Sequence, residues 1–400
     1  MGSRSHDRQV GRTLRVSRAR TWPGGDASPY LLTSERASVL VIVLVTLMFA
    51  TFALVAFVEK ASDDLIVEAR EASAIRLRKE AYSALEVTLG VLEDFRQVNG
   101  ALHSPAEGWA DPLGFAGWEP QNGRTVDVMF EDESGKLSLP HIESVTFVNL
   151  FKGWGMAQAD AERLADSLLG WMRKDHVSSS ARQPDYDQGP VPYLPPLRSM
   201  RTYAELAAID YARQVFYDDK GQPNELWHRF VSAISLLDFK ETNLNGLNGS
   251  LLNDLGVIDI SQQRQFDDYR NGTGAQARQG PGFFENPSDA AGILGAQTLS
   301  GFGTQISALR INLTVKEGRS SFRLSVVVAP ASGGAKLVAE APSPSDPTGS
   351  QNGQTTPANT PAASGSDAQA SAKKLNYPFT LLEIRENAEI SAVLASPTKA

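Results

Sequence analysis

The sequence contains no cysteine among its 400 residues. A disulfide framework and a thiolate metal site are therefore excluded, and export would need no oxidative folding step. Familiar catalytic signatures are also absent, because there is no His-Glu-x-x-His, no Gly-x-Ser-x-Gly and no phosphate-loop sequence. We therefore predict neither an enzyme nor a small-molecule substrate.

Histidine is scarce, and its spacing does not match a metal site. The five histidines are His6, His103, His141, His176 and His228. None forms a pair at ligand spacing, so each is interpreted as a surface residue and no metal ligand is assigned.

Charge of either sign is unevenly distributed. The net charge of −8 combines +4 in residues 1–37, which hold seven arginines and three acids, with −12 in the remainder. An acidic body repels phosphate, so no nucleic-acid partner is expected. The turn Gly153-Trp154-Gly155 resembles a DNA-binding hairpin turn, but Lys152 is the one basic residue beside it, which favours a structural role.

A run from Ala37 to Val58 has no charge, glycine or proline. Its 22 residues would span about 33 Å as a helix, which is enough for a bilayer core. The arginines before it should stay cytoplasmic, so the body should be translocated. A cleaved signal peptide fits poorly, since the run is long and no small-residue cleavage site follows it; an uncleaved single-pass anchor remains an alternative.

The helix should continue well past the membrane. No glycine or proline occurs from Ser38 to Leu89, and apolar residues after Glu59 recur at three- and four-residue spacing. Gly100 is a suitable stop. We predict one helix over 38–98, with residues 38–58 in the membrane.

The start of this helix resembles the signal of type IV pilin-like proteins. Arg36, Ala37, Ser38 and the apolar run give the order of basic residue, small residue and apolar helix. The resemblance implies that prepilin peptidase cuts between Ala37 and Ser38 and that Ser38 becomes the methylated terminus. Ala37 replaces the usual glycine. Ile42 stands at the fifth mature position, where most pilins have Glu, and this loss marks the K-type minor pseudopilin of type II secretion.

Several later segments resemble the same family in their order along the chain. Residues 125–130 alternate as a strand, 133–135 can turn the chain, and 136–139 can return it. Further resemblances are the helical pattern of 161–171, which ends at Trp171, and the Tyr/Pro-rich stretch 192–199. The segment Asn243-Leu244-Asn245 resembles the family's start of a pair of helices, since asparagine side chains suit N-capping. Asp267-Asp268-Tyr269-Arg270 resembles the end of that pair.

The resemblance also raises calcium as a ligand of the helical domain. Asp175, Asp185, Asp187 and Glu205 are the acids near the Trp171 motif, and two acids of the family's motif are missing. Calcium requires six to eight oxygens. No cofactor is therefore assigned, and calcium is left open.

The C-terminal third predicts a hairpin and one more strand. Alternating apolar residues over 309–315 and 322–328 flank the turn Glu317-Gly318. Residues 331–376 are rich in small and polar residues and are predicted to form a flexible loop. Residues 379–384 then predict a last strand, so the loop is expected to interrupt a sheet.

The fold class predicted is α+β: a pilin-like fold with a long N-terminal transmembrane helix, an antiparallel sheet and a large inserted all-α domain. The predicted segments are a leader 1–37, the long helix 38–98, the start of the β region 99–140, the helical domain 141–270, further β-sheet over 280–330 and 377–395, and the loop 331–376.

The resemblance implies a minor pseudopilin that caps the periplasmic pseudopilus. Its expected partners are the I- and J-type minor pseudopilins, prepilin peptidase and the bacterial inner membrane, with the body in the periplasm. Two alternatives stay open: a minor pilin of a type IV pilus, and a membrane-anchored periplasmic enzyme with an unfamiliar site.

Overall fold

The computed structural model describes residues 34–179, Tyr186, 192–295, 300–338 and 377–387, with side chains from Val39 onward. Its helices are α1 Ser34–Asn99, α2 Pro112–Phe115, α3 Ser144–Gly153, α4 Gln158–Met172, α5 Ala212–Phe216, α6 Glu225–Ala233, α7 Gly249–Asp254, α8 Ile260–Asn271 and α9 Ala291–Leu294. Its strands are β1 Thr125–Asp132, β2 Leu137–Ser138, β3 Ile234–Ser235, β4 Thr242–Asn243, β5 Phe302–Gly303, β6 Leu309–Glu317, β7 Ser320–Pro330 and β8 Phe379–Glu386.

Helix α1 runs for 66 residues and begins four residues before the predicted start at Ser38. It ends at Asn99, one residue after the predicted end at 98, and Gly100 follows it with φ of 79°, a left-handed conformation that suits glycine. The chain divides into one unit up to Arg70 and a second from Glu71. In the second unit, α1 packs against the sheet through Leu77, Ala81, Ala84, Leu85, Val91 and Leu92.

A four-stranded antiparallel sheet has the order β1-β6-β7-β8. Alternate β6 residues from Leu309 to Val315 are buried against α1, which follows from the period-2 pattern of the sequence. The predicted hairpin is confirmed as β6 and β7, and the predicted last strand is confirmed as β8. Because β8 pairs with β7, the chain returns to the same sheet after the long segment between them.

Residues 137–294, called here the helical part, surround a second core. Its largest buried side chains include Phe147, Phe151, Phe216, Phe230 and Phe266. Two short parallel pairs, β2 with β3 and β4 with β5, lie among the helices. The core extends to Leu294, beyond the predicted limit at residue 270, and α9 occupies part of a stretch for which strands were predicted.

Three further predictions from the sequence are wrong. Residues 136–139 do not return along β1: β1 pairs with β6, and β2 pairs in parallel with β3. Asn243 and Asn245 do not start a helix, because Asn243 lies in β4 and Asn248 caps α7. The predicted loop begins too early, since Ala335 is buried and Lys336 bridges to Asp238 through two backbone hydrogen bonds.

Other predicted segments fall partly outside the described residues. These are 1–33 of the leader, 180–185 and 187–191 of the helical domain, 296–299 of the β-sheet stretch, 339–376 of the loop and 388–395 of the last segment.

Candidate assembly surfaces and the junction of the body

The first part of α1 presents apolar side chains that the chain itself does not cover. From Val39 to Val58 the large apolar residues are 41–73% exposed. Thr46 and Thr51 donate their hydroxyl hydrogens to carbonyls three residues earlier, at 2.8 Å, so the helix satisfies its own polar groups. Among the described residues, α1 is the one helix long and apolar enough to cross a membrane. It fits a single-pass anchor.

The predicted cleavage residues Ala37 and Ser38 belong to the backbone of α1, and their side chains are outside the described set. Ile42 lies on the same helix and is 60% exposed. Cleavage after Ala37 and the role of Ile42 stay predictions.

A buried ion network lies where the sheet meets the helical part. Glu133 follows β1 and accepts from Arg310 of β6 at 2.6 Å. Lys136 contacts Glu133 at 3.1 Å and Glu131 at 2.7 Å, and Arg310 also reaches Glu383 of β8 at 3.1 Å. Burial alone would raise the pKa of Glu133, but Lys136 and Arg310 lower it. The network therefore joins three sheet strands to the segment that enters the helical part.

The neighbouring carboxyl group, Asp132, has a different environment. Its oxygens accept from the backbone N–H and hydroxyl of Ser134, at 2.9 and 2.5 Å, and from the Asn243 amide at 2.6 Å. No cation forms an ion pair with it among the described residues. Burial therefore dominates and raises the pKa of Asp132 to about 6.

The two misassigned asparagines are buried bridges. Asn243 also donates to the His103 carbonyl at 3.1 Å, which fixes the loop after α1. Asn245 donates to the carbonyls of Phe284 and Thr304, both at 2.9 Å, and accepts from the Phe284 N–H at 2.7 Å. The family resemblance drew attention to both residues, but the local sequence pattern alone assigned them to a helix start instead of to these buried hydrogen bonds.

The described residues do not bring the acids considered for calcium together into a binding site. Glu205 accepts from Trp171 Nε1 at 3.3 Å, pairs with Arg198 at 3.2 Å and closes the capping box with Thr202. Asp175 is exposed, and Asp185 and Asp187 lie outside the described residues. No group of three or more metal-ligating side chains occurs in the described part of the chain. Glu205 is thus committed to structural bonds.

Asp166, which sequence reasoning missed, organises the chain after α4. It is 2% exposed and contacts His176 Nε2 at 2.8 Å. The hydroxyls of Ser178 and Ser179 donate to its other oxygen at 3.0 and 3.1 Å. The signal was an acid two residues from Leu164 and from Leu168, which by itself does not distinguish a buried acid from a surface one.

Comparison with known proteins bears on residues 133–219, which match the family model for type II secretion system protein K. No curated protein matches the chain. Among solved structures, it is similar to a chain of the GspK-GspI-GspJ complex of the enterotoxigenic Escherichia coli Type 2 Secretion System, with a TM-score of 0.47 and 14% identity, over 66% of this chain and 93% of that one.

The matched residues 133–219 begin at the buried Glu133 and include α3, α4 and α5. They include two of the segments in which the sequence resembled the K-type family, 161–171 and 192–199. Residues 133–219 therefore belong to the type II secretion system protein K family, and the resemblance to a K-type minor pseudopilin is confirmed.

Proposed function

We propose that this minor pseudopilin is the tip-capping structural subunit of the periplasmic pseudopilus that drives protein export by type II secretion. Helix α1 anchors it in the inner membrane after prepilin peptidase has cut behind Ala37, and its body lies in the periplasm. It acts through helix packing and contacts between proteins, without catalysis, a small-molecule substrate or a nucleic-acid partner. The protein K match and the acid-free anchor support this proposal.

The presence of Ile42 at the fifth mature position is the main observation that supports a position at the tip of the pseudopilus. In pilin-like assemblies the Glu at the fifth mature position is thought to pair with the terminal amine of a neighbouring subunit. An acid costs about 2.5–3.5 kcal/mol at the centre of a membrane helix on insertion scales and less near the end, where the fifth mature position lies, so an acid there is favoured only where it has a partner. A subunit at the tip has no neighbour above it to supply that amine. An apolar residue is then favoured, and Ile42 lies within the apolar run 39–45.

The helical part supports the same position. The buried network of Glu133, Lys136 and Arg310 fixes it to the sheet, so it cannot easily swing aside for another subunit. We propose that its bulk blocks addition of a further subunit. The proposed partners are the I- and J-type minor pseudopilins, which are also the other components named for the similar solved complex.

The test is co-purification of the full chain with the I- and J-type subunits in detergent. We expect a discrete complex with one copy of each. The variant Ile42→Glu should reduce recovery of that complex, because an unpaired acid is placed in the helix bundle, whereas the matched Ile42→Leu variant should behave as the natural chain. Many copies along a filament shaft, or co-assembly with a major type IV pilin instead, would refute the capping role.

Processing is tested separately by mass spectrometry of the membrane-extracted protein. We expect Ser38, methylated, as the first residue in cells with prepilin peptidase and the unprocessed chain in cells without it. A bulky Ala37→Leu variant should remain uncut. A mature protein that starts near residue 58 would contradict the proposal.

A further inference from the structure

A cleft of about 680 Å³ opens between the end of β1 and the helical part. Its walls come from the loop after α1, from β1, and from helices α6, α7 and α8. Trp154, at the end of α3, and Leu251 supply apolar surface beside polar groups. None of the functions proposed above uses this cleft.

The acids that line the cleft are already occupied. Asp132 accepts from Ser134 and Asn243, as described above. Asp254 accepts from Trp154 Nε1 at 3.1 Å, and Glu131 is paired with Lys136. These carboxylates are therefore poor candidates for holding a cationic ligand.

Two arginines in the same cleft form no ion pair with a described carboxylate. Arg229 is exposed and lies 5.9 Å from the centre of the Trp154 ring, and Arg270 is half-buried and donates to the Leu247 carbonyl. Neither forms an ion pair with a carboxylate among the described residues. Burial lowers the pKa of Arg270, while Asp267 and Asp132 are near enough to favour its charged form. A half-buried cation without an ion pair is stabilised when an anion binds to it.

The other residues that line the cleft indicate which kind of molecule the anionic group belongs to. Guanidinium groups bind carboxylates through paired N–H donors, and the half-buried Trp154 ring offers area for an apolar side chain. We propose that this cleft binds an acidic polypeptide segment of a partner protein, with carboxylates held by Arg229 and Arg270 and an apolar side chain against Trp154. The failure of this proposal would leave the capping role intact, because capping is argued from Ile42 and the bulk of the helical part and not from binding in this cleft.

The experiment measures fluorescence anisotropy of a labelled peptide with the full chain in an uncharged detergent. The probe is Glu-Leu-Glu-Gly-Leu-Glu, and the control peptide has Gln in place of each Glu. We expect the acidic peptide to bind about tenfold more tightly than the control, with affinity falling as salt rises. Inorganic phosphate at millimolar concentration should not displace it, because phosphate lacks the apolar contact.

Variants locate the binding. Arg229→Gln should weaken binding about fivefold, and Arg270→Gln by at least as much. Arg264→Gln is the matched control, since this exposed arginine lies on α8 but does not line the cleft. Arg229 is exposed, so its variant remains informative even if Arg270→Gln fails to fold. The proposal is overturned if the Gln peptide binds equally, if Arg229→Gln binds normally, or if a chain ending at Asn387 binds much more tightly, which would assign the cleft to the protein's own C-terminal segment.

Discussion

The four-stranded sheet and the helical part both enclose well-buried apolar cores, but they differ in what fixes their geometry. In the sheet, β6 pairs residue by residue with β1 and β7 over nearly its whole length, so backbone hydrogen bonds set the register. In the helical part the strand pairs are two residues long. There, side chains such as Asn245, Tyr203 and Arg173 bond to distant carbonyls instead.

This difference teaches where single substitutions should matter. A sheet spreads its polar bonds over many backbone groups, which no side-chain change removes. The helical part concentrates them in a few buried side chains, and deleting one leaves several polar groups unpaired. The predictions below test this contrast, from the largest expected effect to the smallest.

Glu133→Gln should give the largest loss of stability. The change removes the central anion between Lys136 and Arg310, whose remaining partners Glu131 and Glu383 are more exposed. We expect the free energy of unfolding to fall by about 3 kcal/mol, measured by urea denaturation. The control Glu383→Gln, at the solvent side of the same network, should cost less than about 1 kcal/mol. Equal losses would show that the position of the acid in the network is unimportant.

Two asparagines provide the most direct comparison of the regions. Asn245→Ala leaves the Phe284 N–H and the carbonyls of Phe284 and Thr304 without this partner, and should cost about 2–3 kcal/mol. Asn312→Ala, on β6, removes one bond from the Ser325 hydroxyl and should cost about 1 kcal/mol. Thermal and urea unfolding of both variants would measure the difference. A larger loss for Asn312 would reverse the contrast.

The same contrast explains how far sequence could predict the structure. Alternation identified β6, β7 and β8, and the absence of glycine and proline identified α1, because these signals are local and repeated. Asn243 and the segment 136–139 were misassigned because their partners lie about a hundred residues away, as in the bond from the Phe239 N–H to Ser138 at 101 residues. Two-residue strands carry no periodic pattern, and the pairing of Arg310 with Glu133 leaves no spacing signal.

Two adjacent carboxyl groups should respond to pH in opposite directions. The pKa of Asp132 is raised to about 6, so its carboxyl favours folding below its unfolded pKa and loses that contribution as pH rises through 6. The pKa of Glu133 is lowered, so its contribution is present above its unfolded pKa and is lost as pH falls. Unfolding free energies measured at about pH 4 and pH 7 should therefore distinguish the contribution of Asp132 from that of Glu133.

The measured quantity is the unfolding free energy of the natural chain minus that of each variant. For Asp132→Asn, this difference should fall by about 2 kcal/mol between pH 4 and pH 7, because the carboxyl with a raised pKa of about 6 loses its proton over this interval in the folded chain. For Glu133→Gln it should rise over the same interval. Slopes of the same sign for both variants would contradict the assigned environments.

The smallest effect is expected from the long segment before β8. Replacing residues 339–376 with about ten Gly and Ser residues keeps Ala335 and Lys336, which pack against the sheet and Asp238. Shortening a loop about fourfold changes its closure entropy by roughly 1 kcal/mol, in the stabilising direction. The matched variant removes residues 332–376 and should be less stable than the first, because it also deletes the buried Ala335. Urea unfolding compares them. If the 339–376 replacement alone unfolds the body, that segment contributes to the core. The sheet would then depend on a connecting segment as well as on its backbone pairing.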